Sequence, residues 1–242
     1  MPHHIYELEH SMKILVIVPA YNEERCIRGV IEDLRDNFPA GDITVIDDGS
    51  QDNTSAIADN LGVRVTKLPY NLGIGGAMQA GFLYARQEKY DAAIQFDGDG
   101  QHHADQIEKI LKPWLSHNAD LVVGSRFLSD GGFKSSVQRR IGAKILSFVV
   151  SAITGQRITD TTSGFRVYGK KAIEFFCSLY PEDYPEVEAF VLAHKKGLKI
   201  VEVPSEIGPR TGGRSSITIC EAVYYMVKVQ LAIFVDLMKK ID

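Results

Sequence analysis

Asp97-Gly98-Asp99 is the segment of this sequence best suited to chemistry. It follows the apolar run Ala92-Ala93-Ile94-Gln95-Phe96, so the chain leaves a core as the motif begins. Residues i and i+2 of an extended chain point to the same side. Both carboxylates can therefore meet one hard cation, with glycines allowing close approach. Oxygen ligands of this kind suit Mg²⁺ or Mn²⁺, and phosphates of a bound substrate usually complete the shell. Gln101, one alternation further, adds an amide oxygen.

Two other segments carry acids beside turn-forming residues. One is Pro19-Ala20-Tyr21-Asn22-Glu23-Glu24; the other is Asp47-Asp48-Gly49-Ser50, followed by Asp52-Asn53-Thr54. Asp52 or Asn53 alone reads as a helix cap. Capping does not account for the set. Glu24, Asp47, Asp48, Asp97 and Asp99 on one rim repel each other unless positive charge or hydrogen-bond donors sit among them. The loop Asn71-Leu72-Gly73-Ile74-Gly75-Gly76-Ala77 invites a dinucleotide reading, but Met78 stands where the third glycine of that fingerprint belongs. It also follows the third strand-like run rather than the first, so its glycines are better explained as letting a helix start close to the sheet or to a ligand.

The elements that must carry these residues alternate. Lys13–Val18, Asp42–Asp47, Val63–Lys67, Asp91–Phe96 and Asp120–Gly124 read as strands. Glu24–Asn37, Asn53–Asn60, Gly75–Glu88 and Ala104–His117 read as helices between them. That alternation predicts an α/β fold with a mostly parallel sheet covered on both faces. Ligands of such sheets bind beyond the carboxyl ends of the strands, where the acidic segments fall.

The composition suits a globular protein: 242 residues, 45% hydrophobic and 24% charged. A net charge of −4 argues against a chain that coats nucleic acid. Cys26, Cys177 and Cys220 are too few and too scattered for a disulfide framework or a cysteine zinc site, which suits a reducing, cytoplasmic setting. Neither a signal peptide nor a spanning helix of about 20 apolar residues is expected. Charge is uneven: Ser125–Lys171 holds nine basic residues and two acids, net +7. Phosphate groups brought to a metal-bearing acidic rim would use such a segment. Pro209–Ser216 contributes Arg210 and Arg214 on a glycine-containing loop suited to closing over an anion. Two apolar helices are expected near these charges, Ile141–Ile153 and Thr218–Ile241. The second confines Glu221, Lys228, Asp236 and Lys239 to one narrow stripe. Such helices serve a core or homodimer interface, or lie in a membrane surface.

Taken together, VPAYNEE (18–24), DDGSQDNT (47–54), NLGIGGA (71–77), DGDGQH (97–102), GSR (124–126), RR (139–140), DTTSGFRVY (160–168) and GGRSS (212–216) resemble the inverting family-2 glycosyltransferases of GT-A fold. The similarity is greatest to the branch with dolichol-phosphate mannose synthase and bacterial polyprenyl-phosphate glycosyltransferases. It implies one catalytic domain over 1–216, with a nucleotide-binding half about 12–124 and an acceptor half about 125–216, followed by an amphipathic helix, 217–242. It implies that Pro19, Ala20, Tyr21, Glu24, Asp48, Gly75 and Asp97 line the nucleotide sugar, and that Asp97, Asp99 and Gln101 hold the metal. Arg126, Arg140 and Arg214 would bind the donor diphosphate or acceptor phosphate, and Ser163, Gly164 and Arg166 lie in the acceptor loop. Asp160 matches the acid proposed as catalytic base, with Asp99 and Arg126 beside it in the chemistry. The implied reaction moves a sugar from a nucleotide-diphosphate donor, with inversion, to a polyprenyl phosphate. Transfer to a saccharide or glycolipid hydroxyl, and nucleotide-sugar binding without turnover, stay open. Lys144 departs from the family pattern, and the C-terminal spanning helices of many relatives have no counterpart. Peripheral contact with a membrane surface is the corresponding expectation.

Overall fold

The computed structural model describes residues 12–128, 137–208 and 219–239. Its first strand, β1 (Ile14–Ala20), is buried along its whole length. An unbroken apolar run of this kind belongs in a sheet covered on both faces. Leu15 and Ile17 face one core with Phe82, Tyr168, Phe176 and Phe190. Ile14, Val16 and Val18 face the other with Ile31, Phe96, Ile110 and Phe165. Helices cover both: α1 (Ile27–Asn37) buries Ile27, Val30, Ile31 and Leu34, the spacing of one helical face.

The remaining elements are β2 (Asp42–Asp47), α2 (Thr54–Asn60), β3 (Arg64–Lys67), α3 (Gly73–Gln87), β4 (Ala92–Gln95), a 3₁₀ turn (Ala104–Gln106), α4 (Ile107–Leu115), β5 (Leu121–Ser125), α5 (Val137–Thr154), β6 (Arg166–Gly169), α6 (Lys170–Phe176), α7 (Pro185–Lys195), β7 (Ile200–Pro204) and α8 (Ile219–Met238). The sheet order is β3-β2-β1-β4-β6-β5-β7. The five strands marked by periodicity are present, β2 with the expected ends and the other four with shifted ends. β1 runs on through Pro19 and Ala20, which pair with Ile46 and Asp47 and carry the first loop onto the rim.

Strands β6 and β7 are additions to that set. β6 is antiparallel to both neighbours, with Arg166 opposite Gln95 and Val123. An antiparallel strand starts where its parallel neighbours end. The loop leading into β6 therefore lies on the same rim as the loops leaving β1, β2, β4 and β5.

Helix α8 packs mainly on α7, burying Val229 and Ile233 in the first core. Its charges are not all on one solvent face: Lys228 and Lys239 are exposed. Asp236 is fully buried against α7, while Tyr224, Val227, Leu231, Phe234, Val235 and Met238 are exposed. Among the described residues no helix is long and apolar enough to cross a membrane.

Candidate active site

The acids on the rim divide into two groups according to what satisfies them. Asp48 is buried, and its carboxylate accepts the backbone N–H groups of Leu72 at 2.7 Å and Gly73 at 2.8 Å. It thus ties the end of β2 to the glycine loop where α3 begins. Burial pushes its carboxyl up despite these two amides. Gly49, at φ 73°, has no room for a side chain: a Cβ would lie 2.8 Å from the carbonyl carbon of Tyr70. Asp47 accepts the Ser50 amide at 2.9 Å and the Ser55 hydroxyl, with Lys67 Nζ at 3.9 Å. Glu24 accepts from the Asn53 amide and side chain at 3.3 and 3.2 Å. Asp52 caps Thr54 through its backbone amide at 3.0 Å and accepts the Glu24 amide at 3.1 Å. The Asn22 amide adds a bond to Ser50 Oγ at 2.9 Å. The repulsion expected among the acids is thus relieved largely by amide and hydroxyl donors, and the first two loops are knitted into one wall. Tyr21 stands on it, 43% exposed.

Asp97 and Asp99, both half-buried, follow β4 on the same rim. Asp97 Oδ2 lies 3.2 Å from Nε2 of His102, a nearly buried ring stacked on Phe165 and edge-on to Phe96. Burial raises the Asp97 carboxyl, but His102, Gln95 and the charge of Arg126 outweigh it and hold it below the usual range. Gly164 closes this side: a Cβ there would lie 2.4 Å from Asp97 Oδ2. Asp99 Oδ1 accepts the Gln101 amide at 3.0 Å. Gln101 Nε2 donates to Gly208 O at 3.4 Å, and the Gly208 amide returns a bond to Gln101 O at 2.8 Å. Among the described residues no three His, Cys, Asp or Glu side chains converge as a self-contained metal site. Two carboxylates with an amide oxygen nearby fit a hard divalent cation whose remaining positions go to water and phosphate.

Arg126 follows β5 and meets Asp160 from the loop before β6. Arg126 Nε and Nη2 donate to the two Asp160 oxygens at 2.6 and 2.7 Å, and the Arg126 amide adds a bond at 3.0 Å. Nη2 also donates to Thr162 Oγ1 at 2.7 Å. Asp160 is fully buried and its own amide donates to Glu202 on β7 at 2.8 Å. Asp160, which the resemblance implies as catalytic base, has both carboxylate oxygens engaged in fixing Arg126.

Two further expectations change. Arg166 does not face a phosphate; it is fully buried and donates to the carbonyls of Ser163 at 2.7 Å and Glu186 at 2.8 Å. It braces the acceptor loop against the start of α7, and Ser163 is buried beside it. Gly75 does not line the cleft by its backbone alone: a Cβ there would lie 2.3 Å from Pro181 O, so it seats α3 against the 181–182 turn. Pro19 and Ala20 flank the Asp97 loop, Pro19 O lying 3.0 Å from a Cβ built on Gly98. Arg140 is exposed on α5. Arg214 lies outside the described residues.

Sequence reading assigned no role to three residues. His102 was inside a quoted motif, five residues after Asp97. Glu202 anchors the amides of Thr159 and Asp160. Glu186, in the first turn of α7, feels Arg166, Asp97 and Arg126, and burial pushes its carboxyl up. Pro185 just before it, a helix-start signal, was the available clue.

Known proteins resemble this chain in sequence and in fold. The family model described as glycosyl transferase family 2 matches residues 15–176. The UDP-N-acetylglucosamine–dolichyl-phosphate N-acetylglucosaminyltransferase of Methanococcus voltae is 35% identical over 211 residues, 79% of this chain and 84% of its own. The undecaprenyl-phosphate mannosyltransferase of Micrococcus luteus is 31% identical over 237 residues, 91% of this chain and 95% of its own. Among solved structures, glucosyl-3-phosphoglycerate synthase of Mycobacterium tuberculosis, in complex with Mn²⁺, UDP-glucose and phosphoglyceric acid, superposes with a TM-score of 0.75 at 19% identity. It covers 100% of this chain and 85% of its own, and shares the GT-A fold. With its family model spanning the rim from β1 to α6 and relatives above 30% identity along most of its length, the chain belongs to glycosyl transferase family 2.

Proposed function

We propose that this protein transfers a sugar from a nucleotide-diphosphate donor, with inversion, to the phosphate of a polyprenyl phosphate at a membrane surface. The observation that carries this reading is the Arg126–Asp160 pair. A hydroxyl acceptor needs a general base. A phosphate monoester does not, because its second pKa is about 6 and it is already mostly dianionic near neutral pH. Here the acid expected as base is tied up in holding a guanidinium at the cleft, which suits recognition of phosphate. The polyprenyl-phosphate substrates named for the two relatives support the same acceptor.

The nucleotide would lie on the wall made by Tyr21, Glu24 and the Asp48-held glycine loop. Asp97 and Asp99 would hold Mg²⁺ or Mn²⁺, with Gln101 as a further oxygen. That ion supplies charge neutralisation for the departing nucleoside diphosphate; the Mn²⁺ in the related synthase supports Mn²⁺ as the first choice. Arg126 stabilises negative charge on the leaving or attacking phosphate, held in position by Asp160 and Thr162. Attack from the face opposite the leaving group inverts the anomeric carbon. Arg140 and Arg214 remain proposed contacts to phosphate.

Membrane contact would come from α8 and α5. The exposed stripe of α8 and Ile141, Ile145 and Phe148 of α5 are apolar, and exposed Arg140 and Lys144 flank them. Basic side chains near an anionic bilayer contribute about 1 kcal/mol each. A homodimer burying the same surface is the rival arrangement.

One second reading has an observation behind it. Glu186 places a carboxyl near Arg126 and Asp97, and a hydroxyl acceptor would use it as base. The test is to incubate the protein and Mn²⁺ with labelled UDP- and GDP-sugars and vesicles of anionic lipid containing undecaprenyl phosphate. Label should appear in the organic phase, and the protein should sediment with the vesicles at low salt. Label transferred only to saccharide or glycolipid hydroxyls overturns the phosphate acceptor. A stable dimer that ignores the vesicles overturns the membrane contact.

A further inference from the structure

Away from the rim, α7 and α8 bury two carboxyl groups against each other. Glu188 is 5% exposed and Asp236 is 0%. Glu188 Oε1 accepts the Tyr184 amide at 2.9 Å, closing the start of α7. Asp236 Oδ1 accepts Lys239 Nζ at 2.6 Å, but the buried Asp236 Oδ2 has no donor. The Glu188 and Asp236 side chains lie within hydrogen-bonding reach of one another. Burial first, then hydrogen bonding to Asp236 and its charge, pushes Glu188 up to about 7. Two acceptors facing each other away from water are satisfied when a proton lies between them.

A second contact gathers the helix end. Lys195 Nζ donates to the carbonyls of Asp236 at 2.5 Å, Leu237 at 2.9 Å and Lys239 at 2.5 Å. These are carbonyls of the last turn, where a helix leaves acceptors unpaired and favours a cation. The end of α8 is therefore fastened to α7 by the Lys195 clamp and by the Glu188–Asp236 pair.

Among the described residues, the pair is surrounded by these charged and titratable groups. From α7 and the turn before it come Glu182, Asp183, Tyr184 and Lys195. From α8 come Lys239, with Tyr224 and Lys228 beside Tyr184. Helix α5 turns Leu146 and Val150 inward and leaves Arg140 and Lys144 exposed. Glu202 of β7 is engaged with Thr159 and Asp160.

We propose that Glu188 and Asp236 form a proton-locked latch: α8 is held on α7 while the pair shares one proton, and loosens when that proton leaves to solvent. This is independent of which acceptor the enzyme uses. Docking takes up a proton, because the buried carboxyl binds it more tightly than a solvated one. The docking constant is therefore greatest in acid. It falls about tenfold per pH unit from the ordinary glutamate pKa of about 4.3 up to about 7, and is level above that. Acidification tightens the helix that displays the apolar stripe.

Hydrogen exchange on the whole protein tests the latch, following the amides of 226–238 at about pH 5.5 and about pH 8 after correction for intrinsic rates. Protection should drop between tenfold and roughly thirtyfold at the higher pH, while β1 and β4 stay protected. Glu188→Gln should give a flat profile, because its carbonyl keeps the Tyr184 bond and its amide donates to Asp236 Oδ2. Asp236→Asn puts the donor on the opposite partner and should also be flat. Wild-type protection that does not change with pH, or a folded Glu188→Gln protein as steep as wild type, overturns the latch.

Discussion

Gly164→Ala separates the metal-holding role of Asp97 from the stability of the fold. A methyl group at Gly164 would lie 2.4 Å from Asp97 Oδ2 and 2.6 Å from Oδ1. An ordinary C···O contact is about 3.3–3.6 Å, so the carboxylate must move by about 1 Å. Gly164 is not among the positive-φ residues, so alanine strains no backbone there. The Asp97 side chain is 33% exposed and can swing toward the cleft, giving up its contact with His102. That loss at a partly exposed site costs at most about 1 kcal/mol of stability. Displacement of a reacting or ligating group by 1 Å costs on the order of a hundredfold in rate, or about 2.7 kcal/mol at the transition state. Initial rates across a Mn²⁺ titration, with thermal melting alongside, should show kcat/KM about a hundredfold lower. Half-saturation should move to higher Mn²⁺, and the melting point should barely change. A folded variant with the wild-type rate and Mn²⁺ response would refute Asp97 as ligand.

Substitutions at two more positions probe the rest of the rim. Asp160→Ala removes the carboxylate that fixes half-buried Arg126 and should cost about 1–3 kcal/mol in urea unfolding. Asp160→Asn, which keeps the shape, should cost less and leave the pH–rate profile where it was; a lost acidic limb in that variant would restore Asp160 as base. Asp48→Ala removes the acceptor for two amides and should cost about 1–3 kcal/mol, with weaker donor binding seen as a smaller thermal shift on adding a nucleotide sugar; unchanged donor binding would place the nucleotide elsewhere.

The rim was legible in the sequence because strand period and turn chemistry are short-range. Five apolar runs and the acidic turns after them located the carboxyl edge, and Asp97-Gly98-Asp99 stood out within it. What neutralises the other acids was not legible, because their donors are backbone amides of loops joined only by folding. The Asp48 carboxylate meets amides 24 and 25 residues away. Arg126 meets Asp160 across 34 residues, and only after β6, four residues long, inserts antiparallel. Periodicity over so short a run carries little signal. The orientation of α8 was hidden for a related reason. Its stripe of charge looks like a wet face until Glu188 and Lys195, on another helix, claim Asp236 and the carbonyls beyond it.

The reversed direction of β6 has an evolutionary consequence. Because it runs against its neighbours, the chain delivers a loop from its second half to an edge otherwise built mainly by its first. Substitutions between β5 and β6 can then reshape what is received at the cleft without shifting the register of β1, β2 and β4. Under the proposed function, donor recognition and acceptor recognition become separately mutable, and exchanging residues 126–165 between relatives is the natural cut for building hybrids with new acceptors.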